Sequence, residues 1–293
     1  MRDARGISTM IVSMMRRSAI GFSLSVALGA ALPALASDGG HSQPKPPLQQ
    51  WSFAGMFGRY DAAQLKRGFK VYKEVCSSCH SLQHLAFRNL AEKGGPQFSE
   101  AEAKAIAESY KIKDGPNDQG EYFERPGRLS DRFPPPFPNE QAARAAFNGA
   151  YPPDMSVLAK ARGFSRGFPL FLADALPGFS YQEHGVDYIV ALLNGYTDAP
   201  HGVELPAGQY YNVYMPGHRI GMPPPLSDGV VTYDDGAAQT ADQYSKDVSA
   251  FLMWAAEPHL DERKEIGLRV ALFLIVLSVL AYFTKRKIWE QAH

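Results

Sequence analysis

The chain has 293 residues, 45% of them hydrophobic and 20% charged, with 30 Lys+Arg balanced by 30 Asp+Glu. That is the composition of a folded protein with room for one large domain or two small ones, and it speaks against a disordered acidic chain or a basic nucleic-acid binder. Only two cysteines are present, which excludes a cysteine-rich scaffold, and the 22 prolines gather in runs that cannot be helix interior, Phe133-Pro134-Pro135-Pro136-Phe137-Pro138 and Met222-Pro223-Pro224-Pro225.

Met1 to Ala36 reads as an export signal, with arginines at 2, 5, 16 and 17, an apolar run from about Ile20 and Ala34-Leu35-Ala36 as a small-residue cleavage site. Arg16-Arg17 invites a twin-arginine reading, which the residues after the pair fit poorly. Ser37 to about Tyr60 is rich in proline, glutamine and glycine and reads as an irregular lead-in. Asp61 then caps a helix in which Leu65, Phe69 and Tyr72 share one face.

That helix runs into Cys76-Ser77-Ser78-Cys79-His80, which holds both cysteines of the chain. The C-x-x-C-H spacing is the attachment signature of c-type haem. Two thiols one helical turn apart can form thioethers along one porphyrin edge, and the adjacent imidazole then supplies an axial ligand. A zinc site lacks further cysteines to complete it, and a redox disulfide has no need of His80. His84, four residues on, falls on the same side as His80 and reads as a surface or loop histidine.

Beyond the motif, Ser99-Glu100-Ala101-Glu102 is a capping box opening a helix to about Tyr110, followed by a turn region from Lys113 to Gly120. Asn139 caps a short helix, Glu140 to Phe147, ended by Asn148-Gly149. Ser156 to Arg162 is another short one. Ser180-Tyr181-Gln182-Glu183 is a second capping box, leading to Val186, Ile189, Val190 and Leu193 at helical spacing, stopped by Asn194-Gly195. Residues 196 to 236 carry no helix signal, and Tyr233-Asp234-Asp235-Gly236 reads as a turn, a candidate hairpin tip. Thr240-Ala241-Asp242-Gln243 is a third capping box; its helix ends before Pro258 and is expected to pack on the first one.

Ile266 to Phe283 is an apolar run broken only by Arg269, about 27 Å long as a helix and so close to the ~30 Å hydrocarbon core. Lys285-Arg286-Lys287 comes directly after it as a cytoplasmic flank, and Arg269 can snorkel outward. The expected organisation is a signal at 1–36, an exported domain at 37–265, one membrane helix at 266–283 and a cytoplasmic tail at 284–293. Setting aside the four basic and one acidic residues of the signal, and likewise the four basic and one acidic after 265, leaves 22 Lys+Arg against 28 Asp+Glu, a net charge of −6 on the exported domain. A cationic partner suits that charge better than an anionic one, and nucleic acid does not.

Whether the iron is open or closed depends on a sixth ligand. Met155, Met215, Met222 and Met253 are candidates by position. Met253 lies in a helix and reads as core; Met155 opens one; Met215 and Met222 both precede a proline. Gly221-Met222-Pro223-Pro224-Pro225 is the stiffer frame, which favours Met222 over Met215.

Several segments together resemble the cytochrome c1 family: Arg67-Gly68-Phe69-Lys70-Val71-Tyr72, Arg125-Pro126-Gly127 through Asp131, Ala142-Ala143-Arg144 through Ala150, Pro152-Pro153-Asp154, Ile220-Gly221-Met222, Asp234-Asp235-Gly236 and Trp254-Ala255-Ala256-Glu257-Pro258, ending in the anchor. The resemblance spans nearly the whole chain after the signal. It implies a mainly α, class I cytochrome c-like domain with long proline-rich loops and one C-terminal transmembrane helix. It further implies one covalent haem c held by Cys76, Cys79 and His80, with Met222 as the second axial ligand and Arg144 paired with a haem propionate. The implied role is electron transfer, without catalysis of its own, from a Rieske iron–sulfur protein to a soluble cytochrome c, beside cytochrome b in the bc1 complex. The signal at 1–36, unlike the more amphipathic and arginine-rich presequence of a mitochondrial protein, implies a bacterial inner membrane, with the haem domain in the periplasm and the C-terminal helix in lipid. A haem subunit of another membrane complex, such as a terminal oxidase, and a c-type haem peroxidase are the alternatives.

Overall fold

Asp61 opens the first helix as its sequence predicts. Its carboxylate accepts from the amides of Ala63 and Gln64, at 2.9 and 3.4 Å, and helix α1 (Ala62–Val71) buries Leu65, Phe69 and Val71. The computed structural model describes residues 44–163 and 184–290, so the proposed signal and the box at 180–183 lie outside the described residues. Ser99 and Glu102 form their reciprocal box at the start of α2 (Glu100–Glu108), and Asn139 caps α3 (Glu140–Ala146) by accepting from the Ala142 amide at 2.8 Å. Helices α4 (Leu158–Ala161) and α5 (Gly185–Asn194) come next, then α6 (Ala241–Ala256) and α7 (Leu260–Glu290).

The third box closes only by half. Thr240 accepts from the Gln243 amide at 3.3 Å, but the Gln243 side chain donates to Asp247 at 2.9 Å instead of turning back on the cap. The side-chain amide is drawn along the helix by the charge-assisted bond it gives to a buried carboxylate one turn on. Asp247 is fully buried and also takes Arg67 Nε at 3.0 Å and the Tyr233 hydroxyl at 2.9 Å. This polar cluster pins α6 to α1, as the packing of first and last domain helices requires.

The two helices meet at Gly68. A Cβ built there falls 2.1 Å from the Asp247 carbonyl oxygen and 2.6 Å from Phe251 Cβ, so only glycine allows this approach. Around the crossing, the rings of Phe69 and Tyr72 pack against Phe133 and Phe251 with centroids 5.6 to 6.3 Å apart, and Trp254 lies 5.6 Å from Phe251. Gly68→Val is expected to lower stability by about 3 kcal/mol or more, since the neighbour that must yield is backbone. A melting curve of the detergent-solubilised protein followed by circular dichroism checks this; an unchanged midpoint would show that the helices do not depend on this approach.

Strands are few and short. β1 (Lys111–Asp114) pairs antiparallel with β2 (Phe123–Pro126), and β3 (Tyr210–Tyr211) with β4 (Arg219–Ile220). The paired strands therefore flank the turns at 115–122 and 212–218 and not the one at 233–236. At the latter, Asp234 and Asp235 are drawn to Lys70 and Arg67 of α1, at 3.1 and 2.6 Å, while Tyr233 turns into the core. The lead-in is irregular but well anchored. Trp51 and Phe53 are buried and stacked at 5.3 Å, and Trp51 Nε1 donates to the fully buried Asp187 of α5 at 2.9 Å.

Helix α7 is 31 residues long, about 46 Å, with an 18-residue stretch of mean hydropathy 2.4 in which no residue is buried. By length and composition it can cross a membrane. The chain is thus mainly helical, with long loops and one apolar C-terminal helix.

Candidate cofactor site

Helix α1 does not run regularly into the cysteines. It widens into a single π turn, Tyr72–Cys76, closed by the Ser77 amide donating to the Tyr72 carbonyl at 2.8 Å. Such turns recur at functional sites because the extra residue rotates the next part of the chain about the helix axis. The amides of Cys79 and His80 both donate to the Cys76 carbonyl, at 3.1 and 2.9 Å, so the motif is wound tightly and held by backbone bonds.

Both cysteines are free and half-buried. Burial, with Cys79 adding to it, pushes the Cys76 thiol up to about 12. Redox-active C-x-x-C pairs have the opposite property, a lowered thiol pKa, so a thioredoxin-like role does not suit this pair. No group of three or more His, Cys, Asp or Glu that could hold a metal ion occurs among the described residues.

His80 carries the decisive geometry. Its ring is buried, and Nδ1 lies 2.8 Å from the Pro153 carbonyl oxygen, 73 residues along the chain. A carbonyl can only accept, so Nδ1 holds the proton and Nε2 presents its lone pair. No group among the described residues hydrogen-bonds Nε2. Burial pulls the imidazole below its ordinary pKa, against the opposing pull of Pro153 and Asp154, and this favours the neutral, ligating form. An oriented neutral imidazole with its second nitrogen held by a carbonyl is the arrangement of a metal-ligating histidine.

Asp154, which stood in the sequence only as part of a family motif, sets this bond in place. Its carboxylate accepts from Ser81 Oγ at 2.7 Å, the Gln83 amide at 2.9 Å and the Ser156 amide at 2.8 Å, while the Met155 amide donates to the Ser81 carbonyl at 2.9 Å. The loop carrying Pro153 is thus fastened to the residues just after His80. Burial pushes the Asp154 carboxyl up, but its hydrogen bonds outweigh this and hold it below the usual range. Its contribution to stability is therefore complete above the unfolded value near ~4 and is lost as pH falls through the lower folded value. Asp154→Asn is expected to cost about 1–3 kcal/mol at neutral pH and to flatten the loss of stability below about pH 4. Unfolding midpoints measured from pH 7 down to 3 check both; equal acid slopes in the two proteins would remove Asp154 from this role.

The methionines separate clearly. Met253 is buried in α6, and Met155 belongs to the core. Met215 has its sulfur 4.0 Å from the Tyr188 hydroxyl. Met222 is half-buried just past β4, and its carbonyl accepts from the Tyr196 hydroxyl at 3.1 Å. The preceding Gly221 lies against Ala150, with a built Cβ 3.5 Å from that alanine's own, so the Gly-Met segment adjoins the stretch leading to Pro153. His84 is exposed.

Arg144 is bonded to protein groups. Its Nη2 lies 2.7 Å from Glu140 Oε1, Nη1 donates to the Gly149 carbonyl at 2.7 Å, and the guanidinium sits 5.6 Å from the centre of the Tyr151 ring. Tyr151 in turn lines a cleft of about 180 Å³ with Cys79, Ser81, Pro136 and Glu140.

Residues 51–292 match the cytochrome C1 family. The chain is 52% identical to cytochrome c1 of Blastochloris viridis, over 89% of this chain and 91% of that protein. The chain belongs to the cytochrome c1 family. It is 43% identical to cytochrome c1 of Rhodospirillum rubrum, over 96% of this chain and 98% of that one. It is 58% identical to cytochrome b/c1 of Bradyrhizobium diazoefficiens over 91% of its own length, and spans 38% of that longer protein. Membership of the family implies haem, and the residues present fit it: two free thiols at attachment spacing and one histidine oriented by a carbonyl.

Proposed function

We propose that this chain is the mono-haem electron carrier of a bacterial cytochrome bc1 complex, taking an electron from a Rieske iron–sulfur protein and passing it to a soluble cytochrome c. The observation that carries the reading is the His80 ring, buried with Nδ1 on the Pro153 carbonyl. Haem, when bound, supplies a one-electron couple. Cys76 and Cys79 would hold it by thioethers, and His80 Nε2 and Met222 would ligate its iron. Arg144 would exchange Glu140 for a propionate, remaining beside Tyr151. Burial keeps the imidazole neutral, and Pro153, on a loop fastened by Asp154, fixes its direction, which keeps reorganisation small when charge moves.

In this reading residues 1–36 direct export, the domain at 37–265 lies in the periplasm, helix α7 anchors it in the inner membrane and the tail stays in the cytoplasm, with cytochrome b as neighbour. Purification in mild detergent tests it. Cytochrome b and a Rieske protein should accompany the chain, with one pyridine haemochrome equivalent per chain. A haem-bearing chain that leaves cytochrome b behind belongs to another membrane electron-transfer complex.

The −6 charge on the 37–265 segment makes a further expectation. Carboxylates near the haem edge would steer a cationic cytochrome c, and at ~0.15 M salt the Debye length is about 8 Å. The second-order rate of cytochrome c reduction, followed by stopped flow, is expected to fall as salt rises to that level. A rate that is flat or climbs would show that charge does not guide this partner.

A further inference from the structure

The most exposed large hydrophobic side chain among the described residues is Phe57, at 75%, and its neighbour Met56 is at 45%. Both sit at the tip of a tight loop in the lead-in, far in sequence from α7 but fastened to it. Trp51, Phe53 and Tyr60 at the base of the loop are buried, with Phe53 and Tyr60 rings 5.1 Å apart. The Arg59 amide donates to the Ser52 carbonyl at 3.0 Å and closes the loop neck. A Cβ on Gly58 would fall 2.0 Å from the Ala54 carbonyl oxygen, so the turn stays tight and its tip projects.

The register of this loop along α7 gives its direction. The Tyr60 hydroxyl donates to the Glu257 carbonyl at 3.2 Å and the Tyr60 amide to Asp261 at 3.3 Å. One step further, Lys264 Nζ donates to the carbonyls of Phe53 at 2.6 Å and Gly58 at 3.1 Å, and Arg59 lies 3.9 Å from Glu265. Tyr60 therefore lies beside the start of α7, and Arg59 with the neck carbonyls of Phe53 and Gly58 lies beside Lys264 and Glu265, next to the apolar run that starts at Ile266. The exposed tip at 56–57 is carried on this neck.

We propose that Met56 and Phe57 form a second membrane contact, inserted at the headgroup–acyl boundary beside the point where α7 enters the bilayer. The inference rests on the reading of α7 as a membrane anchor. The occupant is lipid because the loop is carried by the helix that itself must lie in lipid, and two apolar side chains on a rigid turn suit shallow insertion. Lys264, held by two carbonyls, fixes the depth and tilt of the helix relative to the domain. One helix alone leaves the domain free to swing; a second contact on the same side restricts it to one orientation, which a surface receiving electrons from membrane-bound partners requires.

The test places the photoreactive p-azidophenylalanine at position 57 or, in separate protein, at position 273, in place of the phenylalanines there. The full chain is reconstituted into vesicles of phosphatidylcholine and phosphatidylglycerol with no other protein, irradiated and analysed by mass spectrometry. A mass gain of one phospholipid at both positions is the expected result. Adducts at 273 with none at 57 overturn the loop contact and leave the anchor standing, and would mean that Phe57 awaits a protein surface. Absence at both overturns the anchor as well.

Discussion

The double variant Cys76→Ser with Cys79→Ser is expected to show no haem staining on a denaturing gel, against a strong band from the native chain. The motif's shape is held by backbone bonds, from the amides of Cys79 and His80 to the Cys76 carbonyl and from Ser77 to Tyr72, none of which involves sulfur. Serine keeps these bonds and the side-chain volume but cannot form a thioether. His80 would still be held by Pro153, so residual haem would be bound by axial bonds alone and lost on denaturation. A stained band in the double variant would refute covalent attachment at these cysteines. A band lost along with the helical spectrum would instead mean that the domain needs its cofactor to fold; the single variants, each retaining one thioether, separate the two results.

Met222→Leu is expected to remove the sixth ligand, and Met215→Leu to leave it. Leucine preserves volume within about 1.5 kcal/mol but offers no sulfur, so the iron would turn high-spin or recruit another group, and its potential would fall. Met215 already has the Tyr188 hydroxyl against its sulfur and lies before the turn at Pro216–His218, whereas Met222 comes after the paired residues Arg219 and Ile220 and has its carbonyl fixed by Tyr196. The weak sulfur-to-iron absorption of the ferric protein is the readout. Its loss in the Met215 variant with Met222→Leu unaffected would reverse the assignment.

Much of the molecule is legible in the sequence, and the legible parts have a common character. Asp61, Ser99, Asn139 and Thr240 each cap the next helix, because an N-cap is a contact between residues two or three apart. The apolar run in α7 and the C-x-x-C-H spacing are equally local, the one set by bilayer thickness and the other by the width of a helical turn. The Gln243 half of the third box and the hairpin at 233–236 went the other way. In each case a partner outside the local motif drew the side chain away, Asp247 in a buried cluster for Gln243 and Lys70 and Arg67 on α1 for Asp234 and Asp235.

By itself, then, the sequence determined which residues can carry the chemistry and where helices begin, since both depend on side-chain type and short-range geometry. Only the tertiary structure decided what holds them. The acceptor for His80 is a main-chain carbonyl 73 residues away, and a carbonyl has no side-chain signature to read. The same holds for the carbonyls of Phe53 and Gly58 that receive Lys264 across more than two hundred residues. The burial of Asp187 and Asp247 was equally hidden, because a carboxylate on a helix reads as solvent-facing until its partners, Trp51 for one and Arg67 with Tyr233 for the other, are brought over it by the fold. Such placements depend on how the chain closes on itself, and loop closure joins residues whose separation in sequence says nothing of their distance in space.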